Sequence, residues 1–362
     1  MKSDIETIKT EKFWRDLYEK SVQEKIPLKA SFELTYQCNL HCLQCYIPPI
    51  LDPKPRSQNL KELSYFEVCF ILDQLADLGC FHLNLTGGEP LTRPDFFKIL
   101  TYAKRKGFYT VLLTNATLIT PEIADSLQDL DINQVDISLY GITGQTYEKL
   151  TQIPGSFASC LKGIQLLRQR NINISIKMMV MTLNLAEFAR IKTFAENLGV
   201  RFQWDYLINP RIDGSKVPLR YRISPEAAVD LELRCQPHLF EEGKNPRERG
   251  KLSSKKADFL YCNAGKNSLA ITPYGEMNLC LEYRFPQYGL RRGSVREGWK
   301  ELVNYVKSTK PASTYQCKDC ELRQFCQWCP AVGLLEEGNR SGCSSYYREL
   351  ARIRKDWNKR NE

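Results

Sequence analysis

Apolar positions along the chain follow two periods. Runs rich in β-branched and aromatic residues occur at 32–35, 81–86, 109–114, 134–140, 172–181 and 200–207. From the second onward they start 25 to 38 residues apart. Most of the intervals carry apolar residues at helical spacing, so the pattern predicts βαβ units, a parallel sheet and the α/β class. Start and stop signals bound the helices. Ser64 and Glu67 form a capping box and Gly79 stops that helix. Pro94 opens a helix over 95–106 that Gly107 closes, and Thr120-Pro121 opens another. Segments 156–171 and 185–199 complete the series.

After Pro210 the alternation stops. Residues 211–260 are polar and read as a connector, with one helix at 225–234. A Cys-rich unit follows over 261–345. Its segments 268–272 and 276–280 read as strand and strand around Pro273-Tyr274-Gly275, and 297–307 as a helix. Residues 317–343 are expected to be loops held by metal. The ends are an N-terminal extension, 1–29, and a basic helix, 346–362, expected to be solvated; 30–210 hold the strand–helix repeats.

Composition narrows the function classes. Lys and Arg exceed Asp and Glu by 9, but the excess is spread out, so no nucleic-acid partner is expected. No apolar run reaches the roughly 18 residues of a membrane span, and the start lacks a signal-peptide core. A cytoplasmic protein without a membrane partner is the expectation. Fourteen cysteines in such a chain point to metal rather than disulfides.

Three of those cysteines, Cys38, Cys42 and Cys45, follow the first strand in C-x3-C-x2-C spacing. Three thiolates can hold three irons of a cubane and leave the fourth open, the mark of a reactive rather than a structural site. A Cys3His zinc site using His41 is the alternative, disfavoured because adjacent His41 and Cys42 would strain a tetrahedral shell. Gly87-Gly88-Glu89-Pro90 lies where the second strand ends, two glycines exposing backbone at close range with a carboxylate after them. Thr114-Asn115, Ser138 and Asn184 sit at the ends of strands three, four and five, where parallel barrels place their chemistry.

The cysteine triad and the Gly-Gly-Glu-Pro string resemble the signatures of radical S-adenosylmethionine enzymes. The resemblance implies a partial (β/α)6 TIM-like barrel. It implies a [4Fe–4S] cluster on Cys38, Cys42 and Cys45 whose open iron takes S-adenosylmethionine. Reductive cleavage of that cofactor gives methionine and a 5′-deoxyadenosyl radical. Gly87, Gly88, Glu89 and Pro90 are then expected at the methionine amino group, and Asn115, Ser138 and Asn184 among the cofactor contacts. The family often has an aromatic residue before the third Cys. Gln44 stands there, and Tyr46 is the expected substitute for packing at the adenine.

Seven further cysteines, Cys262, Cys280, Cys317, Cys320, Cys326, Cys329 and Cys343, resemble the SPASM domain, an extension carrying auxiliary iron–sulfur clusters. Taken alone, Cys317-x2-Cys320 with Cys326-x2-Cys329 reads as a zinc site. By resemblance, Cys262, Cys280 and Cys329 hold one [4Fe–4S] cluster, and Cys317, Cys320, Cys326 and Cys343 another, making three clusters in all. The usual C-x3-C step is C-x2-C at Cys326–Cys329. The first of these two clusters lacks a fourth Cys, so its iron is open or takes a ligand such as Cys235. Cys69, Cys80 and Cys160 remain as small buried hydrophobes.

The resemblance implies an oxidoreductase that cross-links, oxidises or rearranges residues of a ribosomally made peptide. A reducing flavodoxin or ferredoxin would supply electrons. The roughly thirty residues before strand one are too short for a fused leader-binding domain, so a separate leader-binding protein is expected to deliver the peptide. Sulfatase maturation is disfavoured, because Leu281 rather than an acid follows Cys280. A radical dehydrogenase of a small molecule would use the same clusters, and a zinc-stapled binding module would have no catalysis at all. Asp205, Tyr206, Arg211 and Glu282 are further candidate pocket residues.

Overall fold

The computed structural model describes residues 2–49, 61–236, 259–260, 262–313 and 315–361. A helix, α1 (Lys2–Glu24), leads into β1 (Lys29–Thr35). Then follow α2 (Tyr65–Asp77), β2 (His82–Gly87), α3 (Phe96–Arg105), β3 (Tyr109–Thr114), α4 (Pro121–Asp129) and β4 (Gln134–Ser138). Two helices, α5 (Gly144–Thr151) and α6 (Ser156–Gln169), precede β5 (Ile174–Met179), and α7 (Phe188–Asn197) precedes β6 (Arg201–Asp205). All neighbouring pairs from β1 to β6 are parallel, with the six strands in chain order. This is the expected partial (β/α)6 TIM-like barrel.

Local chemistry sets the helix starts. Ser64 and Glu67 exchange the reciprocal capping-box bonds, and Thr120 caps the Ile123 amide ahead of Pro121. Strand alternation sets the layers. Phe32, Leu34, Leu83, Leu85, Val135, Ile137, Ile174 and Ile176 share one core with Leu72, Leu100, Leu127, Leu167 and Ile191 of the helices. The opposite strand faces are mostly polar, with Val111 and Leu113 of β3 as apolar exceptions. There Asp136 takes a hydrogen bond from Ser175 and pairs with Lys177, each at 2.6 Å. The barrel lumen is therefore lined mostly by polar groups, and the apolar layer lies outside it.

The Cys-rich region joins this sheet. After α8 (Pro225–Cys235), β7 (Ser268–Ile271) pairs in parallel with β1, Lys29 opposite Ser268. The antiparallel strands β8 (Glu276–Asn278) and β9 (Tyr288–Gly289) extend the sheet to nine strands. The open edge of β1 is thereby covered, and the expected hairpin turns at Gly275 with φ +81°. Then come α9 (Val295–Ser308), α10 (Pro330–Glu337) and α11 (Ser345–Asn361).

Two expectations change. The cysteine-dense stretch is not all loop: Pro330 at the first position and buried Ala331 and Val332 make α10. The connector helix stands where expected, at Pro225–Cys235, and residues 237–258 and Tyr261 lie outside the described residues. The basic C-terminal helix is not simply solvated. Tyr347, Leu350, Ala351 and Arg354 form a buried face against α8, where Arg354 holds Glu232 at 2.8 Å. Cys69, Cys80 and Cys160 are buried as expected.

Candidate active site

Cys38, Cys42 and Cys45 lie in the loop leaving the C-terminal end of β1. The loop is pinned on both sides. The amides of His41 and Leu43 donate to Thr151 and Leu150 carbonyls, each at 3.0 Å. Asn115 donates to Asn39 at 3.0 Å, and Asn39 donates to Thr117 at 2.7 Å. Asn115 also reaches Cys38 Sγ at 4.0 Å. Burial pushes the Cys38 thiol up to about 11, and Cys42 and Cys45 are raised by burial as well. Cys42 senses both Cys38 and Cys45, so the three thiols share one place. Half-buried thiols whose thiolates would repel one another ionise readily only beside a cation, which is the environment a positively charged iron site supplies. His41 is exposed.

Gly87 and Gly88 have a local reason. A Cβ on Gly87 would stand 2.2 Å from the Thr35 oxygen, and one on Gly88 2.2 Å from the Gln37 oxygen. The end of β2 is pressed against the chain entering the cysteine loop, and the Gly88 and Glu89 amides donate to Thr35 and Gln37 at 2.8 Å. The close backbone approach expected toward a ligand is made first to the protein itself. Glu89 is fully buried and accepts from Thr114 Oγ1 (2.8 Å), Asn115 N (2.8 Å) and Leu91 N (3.1 Å). It ties the ends of β2 and β3 together, and Pro90 begins the 3-10 turn behind it.

The other expected contacts differ in how they are engaged. Ser138 ends β4, and its side chain and that of Gln44 of the cysteine loop lie near the Tyr140 phenol. The Gln44 Oε1 is buried without a partner, an acceptor left for a polar ligand beside Cys45. Asn184 spends its side chain on Met181 N (2.7 Å) and on the Tyr140 and Met179 carbonyls (2.9 Å each), anchoring the turn after β5. Tyr46 donates its phenol to Glu33 at 2.8 Å. Glu33 is a site residue missed in the sequence reading. Its signal was a lone carboxylate in an otherwise buried strand.

The structure brings some of the auxiliary cysteines near one another. Cys329 senses both Cys262 and Cys280, and burial pushes the Cys280 thiol up to about 12. Cys343 senses Cys320. Cys317 is buried, and Cys326 lies beside the Tyr347 carbonyl at 3.9 Å. Cys235 stands apart at the end of α8, among Arg234, Lys192 and Asp230. Glu282 adjoins Cys280 and Cys329, is raised by burial and takes a 2.6 Å bond from Asn209. Asp205 accepts from the Tyr206 and Leu207 amides, and Tyr206 donates to Glu232. Among the described residues no three His, Cys, Asp or Glu side chains converge tightly enough for a single metal ion. A cubane takes one thiolate at each corner and asks for wider spacing.

A parallel partial barrel with three thiols beyond its first strand and a Gly-Gly-Glu turn beyond its second defines an α/β enzyme with a metal-dependent centre at the strand ends. The profile of the Radical SAM superfamily matches residues 32–195. The chain is a radical S-adenosylmethionine enzyme with a Radical SAM domain, and its Cys-rich C-terminal region fits the SPASM type. It is 27% identical over 332 residues to the AdoMet-dependent heme synthase of Methanosarcina barkeri, covering 86% of this chain and 94% of that protein. It is 26% identical over 314 residues to the mycofactocin maturase MftC of Mycobacterium tuberculosis, covering 83% and 77%. Streptococcus suis SuiB, solved with its precursor peptide SuiA, shares the fold with a TM-score of 0.68 at 16% identity, covering 91% and 78%. Binding of S-adenosylmethionine and a radical SAM iron–sulfur cluster follows from the family. Among the described residues no helix is long and apolar enough to cross a membrane.

Proposed function

We propose that the chain cleaves S-adenosylmethionine reductively at a cluster held by Cys38, Cys42 and Cys45 and oxidatively modifies a ribosomally made peptide. The observation that carries the reading is the clustering of those three half-buried thiols at the strand-end mouth of the barrel. When bound, cluster and cofactor together supply the one-electron chemistry that removes a hydrogen atom from the substrate. The chain's own residues do the rest. Gly87 and Gly88 let β2 seat against the cysteine loop, and Glu89 fixes that seat to β3. Gln44, Tyr140 and Ser138 offer polar atoms beside Cys42 and Cys45 for the cofactor.

Cys262, Cys280 and Cys329 would hold one auxiliary [4Fe–4S] cluster, and Cys317, Cys320, Cys326 and Cys343 the other. An auxiliary cluster would offer the substrate radical an electron acceptor. The peptide class is supported by the maturase relative and by the fold shared with SuiB. A leader-binding protein would deliver the peptide, and a reduced flavodoxin or ferredoxin would supply electrons. The thiol-rich sites suit the reducing cytoplasm. A second reading, a small-molecule substrate, is supported by the heme synthase relative, matched over most of its length.

Anaerobic reconstitution tests both levels. About twelve irons per chain and formation of 5′-deoxyadenosine under dithionite are expected for three clusters. Zinc without iron would remove the enzyme reading. A mass change in a short precursor peptide encoded beside the gene separates the peptide reading from the small-molecule one.

A further inference from the structure

Arg211 has a buried guanidinium Nε with no hydrogen-bond partner. Among the described residues its side chain forms no ion pair either. The acids around it in sequence are engaged elsewhere. Asp205 caps its own turn at 2.7 and 2.9 Å, and Asp213 takes the Ser215 amide at 2.9 Å. A guanidinium is always charged and carries five donors in a planar fork. Its buried Nε–H is left without an acceptor, and such a donor in a native fold asks for a missing partner.

Its position says where that partner lies. The Ile212 amide, next in the chain, donates to the Tyr46 carbonyl at 2.9 Å, one residue beyond Cys45. Two residues earlier, Asn209 donates to Glu282 at 2.6 Å, beside Cys280 and Cys329. Segment 209–212 thus spans the gap between the radical loop and the inner auxiliary cysteines. Cys45 senses the Arg211 charge directly. A molecule acted on at one set of thiols and oxidised at the other must occupy this gap.

We propose that Arg211 binds a carboxylate of the substrate, holding it between the two cysteine sets. One planar fork matches one carboxylate in a bidentate pair. A single cation also suits a single negative charge better than a phosphate dianion. The assignment rests on the radical-enzyme reading above, and it adds the class of group recognised. S-Adenosylmethionine carries a carboxylate too, so the test separates the two sources.

The probe is 4-fluorobenzoate, observed by 19F relaxation in the reconstituted, dithionite-reduced holoenzyme, whose paramagnetic cluster broadens nearby fluorine. Broadening by 4-fluorobenzoate but not by 4-fluorobenzamide is expected. It should persist in saturating S-adenosylhomocysteine, which bears the same carboxylate as the cofactor and is not cleaved. Arg211→Gln should weaken probe binding about tenfold or more, and Arg211→Lys less, with 5′-deoxyadenosine formation retained in both. Loss of broadening on adding S-adenosylhomocysteine would give Arg211 to the cofactor and overturn the proposal. So would equal broadening by the amide, or no broadening in an enzyme that still cleaves its cofactor. Absence of cluster and cleavage would instead sink the radical-enzyme reading, and this assignment with it.

Discussion

Glu33 of β1 and Arg284 of the Cys-rich region form a buried ion pair at 2.9 Å across 251 positions of sequence. Glu33 stands five residues before Cys38 and Arg284 four after Cys280. Tyr46, directly after Cys45, donates to the same carboxylate, and Arg284 also bonds the Tyr36 phenol. One carboxylate therefore holds the radical loop and the auxiliary hairpin together.

Removing one member leaves the other charge buried and unpaired. Glu33→Gln or Arg284→Met alone should cost roughly 3–5 kcal/mol of stability, and the double variant less than the sum. Denaturant unfolding of the four proteins in a double-mutant cycle checks this; additive losses would argue against a direct coupling.

Glu89 predicts a pH dependence. Burial, offset by bonds from Asn115, Thr114 and Leu91, raises its carboxyl from 4.5 to about 7. The folded chain then binds the proton more tightly than the unfolded one, so stability falls as pH rises from about 4.5 to 7 and levels off above. The window is worth on the order of 3 kcal/mol. Thermal unfolding across this range should show the slope in the parent and lose it in Glu89→Gln.

Gly88→Ala should destroy the site rather than trim it. A methyl there meets the Gln37 and Tyr36 backbone at 2.2 to 2.8 Å, and no rotation of a side chain relieves that contact. Iron bound at the first cysteine site and 5′-deoxyadenosine formation should both fall at least tenfold, while the auxiliary iron remains. Full activity in this variant would mean the β2 end does not need to seat on the loop.

The two cysteine fields should separate functionally. Cys42→Ala should abolish 5′-deoxyadenosine formation and lose about four irons. Cys320→Ala should retain cofactor cleavage, lose a similar number of irons and form no product. Product quantified against 5′-deoxyadenosine in each variant decides the matter.

Much of the site was legible because its elements are local. The triad spacing, the two glycines and the strand–helix alternation depend on neighbours in sequence, and each stands where expected. What sequence reasoning missed was the set of long-range polar contacts. Nothing in 29–35 says that Glu33 meets Arg284, nor that Arg354 leaves a solvated helix to pair with Glu232. The extended α10 was hidden because cysteine density suggested loops, although Pro330 and a short apolar run already marked a helix start.

Sequence alone determined the order of strands and helices, the helix caps and which thiols lie close in the chain, because capping, turn chemistry and hydrophobic period act over a few residues. Tertiary structure decided the rest. It alone set β7 against β1, brought Cys329 near Cys262 and Cys280, and left the Arg211 Nε without an acceptor on the segment between the two thiol sets. Those relations arise from closing long loops, whose cost and geometry depend on the whole packed chain and not on any local pattern.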